Sequence, residues 1–190
     1  MHLVLTNDAE RTAAPLAEAL NASDVYRQHA DFVWRALQHL GVRPPDLEDV
    51  AQEVFVVVHR KLDTFDGSSR LTTWLFGICL RVADRHRRRA HFRYEERGYE
   101  APERVDPRTP EDRLAERQKQ ELLQRALDRL SLELRAVFVL FELEGRPCAE
   151  IAELLGVPVG TVHSRLHKAR KDVLAALARA GRTTGFGGLP

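Results

Sequence analysis

The sequence predicts an all-α protein made of two small helical domains joined by a flexible linker, the C-terminal domain containing a helix-turn-helix. Three observations predict this fold. Apolar residues recur at three- and four-residue spacing in both halves of the 190-residue chain. The stretch 94–110 combines one glycine and three prolines with many charges and little to bury. A glycine at position 156 divides a short apolar helical hairpin, as a tight helix–turn–helix corner requires.

These observations divide the chain into five segments. Residues 1–23 are rich in alanine and weakly patterned, and we expect a poorly ordered extension. Residues 24–93 form the first helical domain, 94–110 the linker, and 111–180 the second helical domain. Residues 181–190 contain four glycines and are expected to be a flexible tail.

In the first domain, the pattern predicts one helix over about residues 24–40, ended by Gly41. A second helix follows the Pro44-Pro45 turn, with Asp46 as the predicted N-cap and Asp49 in a capping-box-like position. A third helix, capped by Thr72 or Thr73, is expected to run without a break into a block of arginines. Its predicted inward residues are Trp74, Leu75, Ile78, Cys79 and Val82.

In the second domain, the pattern predicts a helix around 114–130 and another around 132–143. Two shorter helices separated by a turn should follow. The residue types Ala152, Gly156 and Val162 stand at helix-turn-helix spacing: a small residue for close approach, a glycine for a left-handed turn, and a buried β-branched anchor.

Composition excludes several classes of protein. Charged residues make up 30% and hydrophobic residues 44% of the chain, which argues against disorder throughout. The longest apolar runs, 54–58 and 136–141, are far too short to span a membrane, and the N-terminus turns acidic too soon for a signal peptide. Cys79 and Cys148 have no metal-ligand or disulfide-framework spacing. We expect a cytoplasmic protein without membrane insertion, metal or cofactor, with both thiols buried and reduced.

Two basic surfaces point to nucleic acid. The second helix of the hairpin would present side chains suited to phosphates and base edges: His163, Ser164, Arg165, His167, Lys168, Arg170 and Lys171. Gly160 and Thr161 precede them and are grouped with the same candidate surface. Residues 81–93 contain six arginines and a single acid, Asp84, a density that repels itself unless a polyanion neutralises it. The alternative in both places is a solvated charged face, which is less probable where two such surfaces occur in one chain.

An acidic patch precedes these surfaces. Asp46, Glu48, Asp49 and Glu53, with Gln52, occupy the first turns of the second helix. Acids near a helix N-terminus stabilise the helix dipole, which alone could explain Asp46 to Asp49 but not Glu53. A surface for a basic protein partner is the functional alternative, and the chemistry alone leaves the two explanations even.

Taken together, these motifs resemble the extracytoplasmic-function (ECF) group of bacterial RNA polymerase sigma factors. Residues 46–55 look like that family's helix for docking on core RNA polymerase, 65–78 like its promoter-melting segment, and 160–170 like its −35-reading helix. The resemblance covers roughly residues 24–177, interrupted by the linker. Three motifs in the right order make it highly specific.

The resemblance implies a role for each surface. Residues that would dock on core polymerase are Asp46, Asp49, Gln52 and Glu53. Residues that would recognise and melt the −10 region are Asp66, Ser68, Ser69, Arg70, Thr73, Trp74, Arg81, Asp84, Arg85 and Arg88. The helix over 160–170 would read the −35 element. The implied partners are core RNA polymerase, promoter DNA and an anti-sigma factor. Arg81 and His163 depart from residues common in the family, so no promoter sequence carries over.

Two other classes remain as alternatives. A stand-alone helix-turn-helix regulator would bind DNA without polymerase, but residues 24–93 lack the strand–helix alternation of a receiver domain. An enzyme with a metal site at Asp46, Asp49, Glu53 and His59 is the weaker alternative, because His59 lies on a different helix face from Glu53. We therefore expect a protein that acts by binding and is not an enzyme.

Overall fold

A computed structural model describes residues 21–91 and 110–183. The first domain contains three helices: α1 (Ala22–His39), α2 (Leu47–Lys61) and α3 (Leu71–His91). Short 3₁₀ turns, Pro44–Asp46 and Leu62–Thr64, lie before and after α2. The predictions for residues 1–20 and for almost all of the 94–110 linker fall outside the described residues.

The second domain contains four helices. They are α4 (Pro110–Leu127), α5 (Leu132–Phe138), α6 (Cys148–Leu155) and α7 (Val159–Thr183). A π-helical turn, Val139–Leu143, continues α5. The described residues form helices and no strands, which confirms the predicted all-α class. None of the described helices is long and apolar enough to cross a bilayer.

Apolar stripes on the three helices of the first domain pack on one another. Val33 and Leu37 of α1, Val54 and Val58 of α2, and Phe76 of α3 are fully buried. The stripe of α2 steps by three and four residues, as the sequence predicts, and the run of valines forms a helix despite its strand propensity. Tertiary burial therefore overrides local propensity in α2.

Of the two helix caps predicted in the first domain, Asp46 does occupy the N-cap position of α2 but without a side-chain capping bond, and the Thr72 or Thr73 cap of α3 is wrong. The side chain of Asp46 makes no capping hydrogen bond, because the chain enters α2 from a 3₁₀ turn that already has helical geometry. The Thr73 and Trp74 amides donate to the Arg70 carbonyl and α3 begins at Leu71, so Thr72 and Thr73 lie inside the helix and do not cap it. The side chain of Asn21 does cap α1, at the Asp24 amide.

Two further expectations in the second domain are corrected. The last helix is not short, since α7 has 25 residues and is stabilised along its length by packing on α4, α5 and α6. The tail was expected to begin at residue 181, but α7 continues through Gly181 to Thr183. Glycine lowers helix propensity without forbidding a helix, so a single Gly181 does not end it.

Contacts between the two domains include one at α3 and one at the end of α1. At the first, α6 of the second domain packs on the N-terminal half of α3, where Leu154 lies against Gly77. At the second, the Arg135 guanidinium of α5 fills the space beside Gly41, at the end of α1. Gly41 has φ of +90°, and a Cβ there would overlap the guanidinium. Both glycines therefore permit a close approach that a larger residue would block.

Candidate nucleic-acid and polymerase interface

The corner between α6 and α7 has helix-turn-helix geometry. Gly156 adopts a left-handed conformation (φ +64°, ψ +37°), which ends α6 and redirects the chain. The Val157 amide donates to the Ala152 carbonyl at 3.0 Å. Ala152 and Val162 are both buried, and Val162 anchors α7 on the core. The three positions singled out in the sequence thus do what their residue types predict.

Helix α7 turns one face to the core and the opposite face to solvent. The buried stripe consists of Val162, Leu166, Ala169, Val173 and Ala176. The solvent-facing residues near the helix start are Gly160, His163, Ser164, His167, Lys168 and Lys171. Thr161 and Arg165 are half-buried on the flanks of this face. The core-facing and solvent-facing residues of α7 thus lie on different faces of the helix.

Arg170 is directed away from that face. Its Nε lies 2.5 Å from Glu142 Oε1, and its guanidinium lies 5.2 Å from the centre of the Phe141 ring. An ion pair combined with a cation–π contact holds the side chain on its own domain. The sequence pattern grouped Arg170 with the other basic residues of α7. Only the fold shows that its side chain has a different direction from theirs.

The loop before α3 is open and polar at its tip. The Ser68 amide donates to Asp66 Oδ1 at 2.9 Å, and hydrogen bonds from Ser68 lower the pKa of the Asp66 carboxyl. Gly67 (φ +74°) makes the sharp turn between them. Beneath the tip, the Phe65 and Trp74 rings pack with centroids 5.5 Å apart. Ser69 is half-buried and Arg70 is exposed. The loop thus has a polar tip that lies above a packed pair of aromatic rings.

The first turn of α3 is covered by the second domain. The Thr73 hydroxyl donates to the Glu150 carboxylate, and Thr73 is only 2% exposed. Arg146 Nη2 donates to Thr72 Oγ1 at 2.9 Å. Thr73 is one of the residues that the resemblance assigns to −10 DNA, and in this arrangement DNA cannot reach it.

The C-terminal half of α3 carries the exposed arginines. Arg85 Nη2 lies 2.5 Å from Glu53 Oε1, and Arg88 Nη2 lies 2.7 Å from Asp84 Oδ2. Arg81 is exposed, and a shallow open pocket is lined by Asp84, Arg85, Arg88 and Arg89. The Arg85 and Arg88 side chains are 47% and 79% exposed. Ion pairs this exposed are weak and can be exchanged for phosphate.

The acidic patch lies on α2, directly beside the arginine helix. Asp49 and Gln52 are exposed, whereas Glu53 and Asp46 are half-buried. In the turn before α2, Asp46 Oδ2 lies 3.3 Å from His86 Nε2 of α3, and Glu53 of α2 pairs with Arg85 of α3. The residues named at Asp46, Asp49, Gln52 and Glu53 share one side of the domain. In the described part of the chain, no group of three potential metal-ligating side chains occurs, at His59 or elsewhere.

Val56 is a candidate residue that the sequence pattern missed. It lies one helical turn after Gln52 and is 49% exposed, on the acidic side of α2. The nearby Tyr26 is 55% exposed and packs edge-on against Phe55, with ring centroids 4.8 Å apart. The signal was present, because Val56 is out of phase with the buried stripe at Val50, Val54 and Val58. It was hidden by the uniform valine run.

Both halves of this arrangement match known families. The Sigma-70 region 2 family matches residues 25–93, and the Sigma-70 region 4 family matches residues 120–173. The ECF RNA polymerase sigma-E factor of Escherichia coli K12 is 31% identical over 137 residues, covering 67% of this chain and 72% of that protein. The chain belongs to the ECF sigma factors.

Other relatives of this ECF sigma factor agree. SigE of Mycolicibacterium smegmatis, an ECF RNA polymerase sigma factor, is 37% identical over 169 residues, or 85% of this chain. The aligned part spans 63% of the mycobacterial protein. Among solved structures, CnrH in complex with the cytosolic domain of CnrY has a TM-score of 0.60 at 25% identity, covering 86% of this chain and 92% of CnrH.

A second solved structure supports the same fold. The sigma factor RpoE of Bartonella quintana, in complex with the anti-sigma factor NepR, has a TM-score of 0.58 at 24% identity. It covers 80% of this chain and 96% of that one. Sigma factors are transcription initiation factors that act without catalysis, which is consistent with the expectation from the sequence.

Proposed function

We propose that this sigma factor binds core RNA polymerase through the acidic side of α2 and directs it to promoters that it recognises with α3 and α7. The observation that carries the proposal is the contact between α2 and α3. Glu53 and Arg85 pair at 2.5 Å where the acidic surface meets the arginine surface. One small domain can therefore hold a basic element of polymerase and place polyanionic DNA on the adjoining face.

Polymerase docking would use Asp46, Asp49, Gln52 and Glu53 around an apolar centre at Val56. Interfaces derive affinity from a desolvated apolar contact and specificity from the charges at its rim. Val56 supplies apolar surface among acids, a composition suited to a basic, partly apolar helical element of the polymerase. Replacing Val56 with Ser should therefore weaken polymerase binding without changing the net charge of the surface.

Promoter opening would depend on binding energy alone. Separating the first base step costs a few kcal/mol. The loop over residues 66–72 would accept an unstacked base against the Phe65–Trp74 pair, while Arg81, Arg85 and Arg88 contact backbone phosphates. Helix α7 would place His163, Ser164, His167 and Lys168 against the −35 element. We assign Arg170 instead to positioning α7 through Glu142.

The test is transcription in vitro with purified core polymerase and fragmented genomic DNA, followed by mapping of the start sites. We expect new starts that share two upstream elements and that require this protein. No new start, with the same polymerase shown to be active with another sigma factor, would contradict the proposal. A stand-alone regulator would bind DNA but would show no affinity for core polymerase.

A double variant tests whether the arginine surface of α3 binds DNA. Arg85→Ala with Arg88→Ala should weaken open-complex formation more than binding to core polymerase, because both side chains lie on the proposed DNA face. The matched control is Arg129→Ala, an exposed arginine of the second domain. Equal loss of docking and opening in the paired variant would show that the arginine surface is wrongly assigned.

We further propose that the protein acts in the cytoplasm and is restrained by an anti-sigma factor. Transcription by a bacterial polymerase takes place there, and two similar structures were solved in complex with a protein partner, one of them named an anti-sigma factor. Leu174 and Leu177 are exposed in the C-terminal half of α7, and Tyr26 and Val56 on the first domain. A protein that covered both apolar areas would also cover the polymerase surface.

A further inference from the structure

Helix α6 contacts the proposed DNA-reading face of α7 through a thiol. Cys148 is the first residue of α6, and its Sγ lies 3.9 Å from Nδ1 of His163. Cys148 is partly buried against the core, whereas His163 is exposed near the start of α7. The two nitrogens of an imidazole point in divergent directions, so a contact at Nδ1 leaves Nε2 available to DNA.

The contact decides which nitrogen of the His163 ring carries the hydrogen. A neutral imidazole has one N–H donor and one unprotonated acceptor nitrogen, and a hydrogen bond to one nitrogen fixes the role of the other. The unprotonated nitrogen accepts strongly, whereas a thiol sulfur is a weak acceptor. The stronger arrangement therefore has the Cys148 thiol donating to His163 Nδ1, which makes Nε2 a donor.

The next residue of α7 has the opposite polarity, because its hydrogen is also used inside the domain. The Ser164 hydroxyl donates to the Thr161 carbonyl at 3.0 Å. A hydroxyl has a single hydrogen, so Ser164 Oγ can offer DNA only its lone pairs. His163 and Ser164 thus present a donor and an acceptor at neighbouring positions of α7, and each role is fixed by a contact within the protein.

We propose that Cys148 is a positioning residue for promoter recognition: it holds His163 as a hydrogen-bond donor, so that α7 selects an acceptor at one base of the −35 element. The proposal rests on the assignment of α7 to that element under the proposed function. In the major groove, guanine presents two acceptors, N7 and O6, whereas cytosine presents only the N4 donor. At the base that His163 contacts, guanine should therefore be favoured and cytosine rejected.

Selection from a pool of promoters measures this preference. A holoenzyme assembled from core polymerase and the full chain transcribes templates with a randomised −35 region, and barcodes in the transcripts identify the active templates. His163→Ala marks the base that His163 contacts, because the preference at that base is lost. There we expect the parent to favour guanine over cytosine by about tenfold, the discrimination that one good base contact supplies.

Removing the thiol should relax this one preference. In Cys148→Ala the imidazole populates both tautomers, so discrimination at the base contacted by His163 should fall to about twofold or less. The preference that Ser164→Ala removes should persist in Cys148→Ala, because the Thr161 carbonyl still holds the Ser164 hydroxyl. Glu153→Ala, at an exposed carboxylate on α6, is the matched control and should keep both preferences.

A His163→Lys background separates positioning from stability. An ammonium group only donates, so its base preference does not need the thiol. Adding Cys148→Ala to His163→Lys should leave the preference unchanged, although the same change relaxes it beside the native histidine. If Cys148→Ala acted only by destabilising α6, selection would weaken equally in both backgrounds, and that result would overturn the positioning role.

Long-range proton–nitrogen NMR of the free full chain reports the tautomer without DNA or polymerase. At about pH 7.5 we expect an unprotonated Nδ1 and a protonated Nε2 at His163, and a mixture of tautomers in Cys148→Ala. The signal is identified by its loss in His163→Ala. A hydrogen on Nδ1 in the parent, or identical spectra in the two proteins, would overturn the proposal.

The same experiments distinguish failure of this proposal from failure of the proposed function. A holoenzyme that selects promoters with the same preferences before and after Cys148→Ala would overturn the role of Cys148 alone. A holoenzyme that selects no promoter sequence would contradict the proposed function, and with it the contact of His163 with DNA.

Discussion

Cys79 and Cys148 occupy different environments despite similar apolar patterns around them. Cys79 is fully buried in α3, and burial raises the pKa of its thiol to about 12. Cys148 begins α6 and is half-buried, with its Sγ 3.9 Å from His163 Nδ1. The expectation that both thiols are buried therefore holds for Cys79 and fails in part for Cys148. The reason is that position 148 lies at a helix end, where the core does not enclose the side chain.

This difference predicts unequal thiol reactivity. Because the thiolate is the reactive form, Cys79 should not react with iodoacetamide in the folded protein, whereas Cys148 should. Mass spectrometry should find one alkylated cysteine under native conditions and two in denaturant. Cys148→Ser should then show no native labelling. Rapid alkylation of Cys79 in that variant would contradict the burial of α3.

His39 predicts a pH dependence of stability. Burial, and then the charges of Arg35 and Arg135, lower the pKa of His39 below its usual value of 6.5. The folded state thus binds fewer protons than the unfolded state. The contribution to stability is complete above pH 6.5 and is lost as the pH falls through the lowered pKa.

Urea unfolding at about pH 7.5 and about pH 5.5 checks this prediction. The parent should lose more free energy of unfolding on acidification than His39→Gln, whose amide does not titrate. His59→Gln is the control, because His59 is exposed and should leave the difference unchanged. An equal loss in the parent and in His39→Gln would show that His39 does not carry the effect.

At the scale of the elements, the periodicity of apolar residues was sufficient to predict the helices but not their ends. Helix α2 and the helix-turn-helix corner follow from local spacing, because their stripes and Gly156 act within a few residues. The start of α3 could not be predicted in the same way. Its threonines have the right chemistry for caps, but their partners are Arg146 and Glu150, 74 and 77 residues away.

Gly156 allows a direct test of the helix-turn-helix corner. No atom outside its chain neighbours lies within 4 Å of a Cβ built at this position, so a substitution is limited by backbone conformation alone. Gly156→Ala should lower the free energy of unfolding by about 1–2 kcal/mol, the cost of a left-handed alanine. Gly160→Ala, in open space within α7, should leave it unchanged or raise it by up to about 1 kcal/mol. Equal effects in chemical denaturation would contradict the turn.

The basic residues of α7 are of two kinds, those that face solvent and those that are held on their own domain. Lys171 lies on the solvent face, whereas Arg170 is held by Glu142 and Phe141. For a duplex carrying a mapped −35 element, Lys171→Ala should reduce the slope of log affinity against log salt by about 1, as loss of one phosphate contact does. Arg170→Ala should leave the slope nearly unchanged and lower the thermal stability of the domain. The opposite pattern would place Arg170 on DNA.

At the scale of the whole molecule, the net charge of +1 conceals separated surfaces. The acidic side of α2 and the arginines of α3 meet in one domain, and the basic face of α7 lies in the other. The charges at each surface were visible in the sequence, and so was their order along the chain. Their juxtaposition was not, because a pair such as Glu53 and Arg85 is brought together only by the packing of α2 on α3.

Exchanging the charges of Glu53 and Arg85 tests whether the pair serves stability or function. Both side chains are more than one-third exposed, so solvent screening limits the pair to at most about 1 kcal/mol of stability. Glu53→Arg should lose that contribution by facing Arg85 with a like charge. Adding Arg85→Glu restores an ion pair with its charges exchanged, and chemical denaturation should show the stability returning to near that of the parent.

Function should not return with it. The exchanged pair puts a basic side chain on the surface proposed for polymerase and an acidic side chain on the surface proposed for DNA. The double variant should therefore dock weakly on core polymerase and form few open complexes. Both can be measured by polymerase binding and by permanganate footprinting of melted DNA. If the exchange restored both activities together with stability, Glu53 and Arg85 would serve only to join α2 to α3. The polymerase and DNA surfaces would then have to lie elsewhere on the domain.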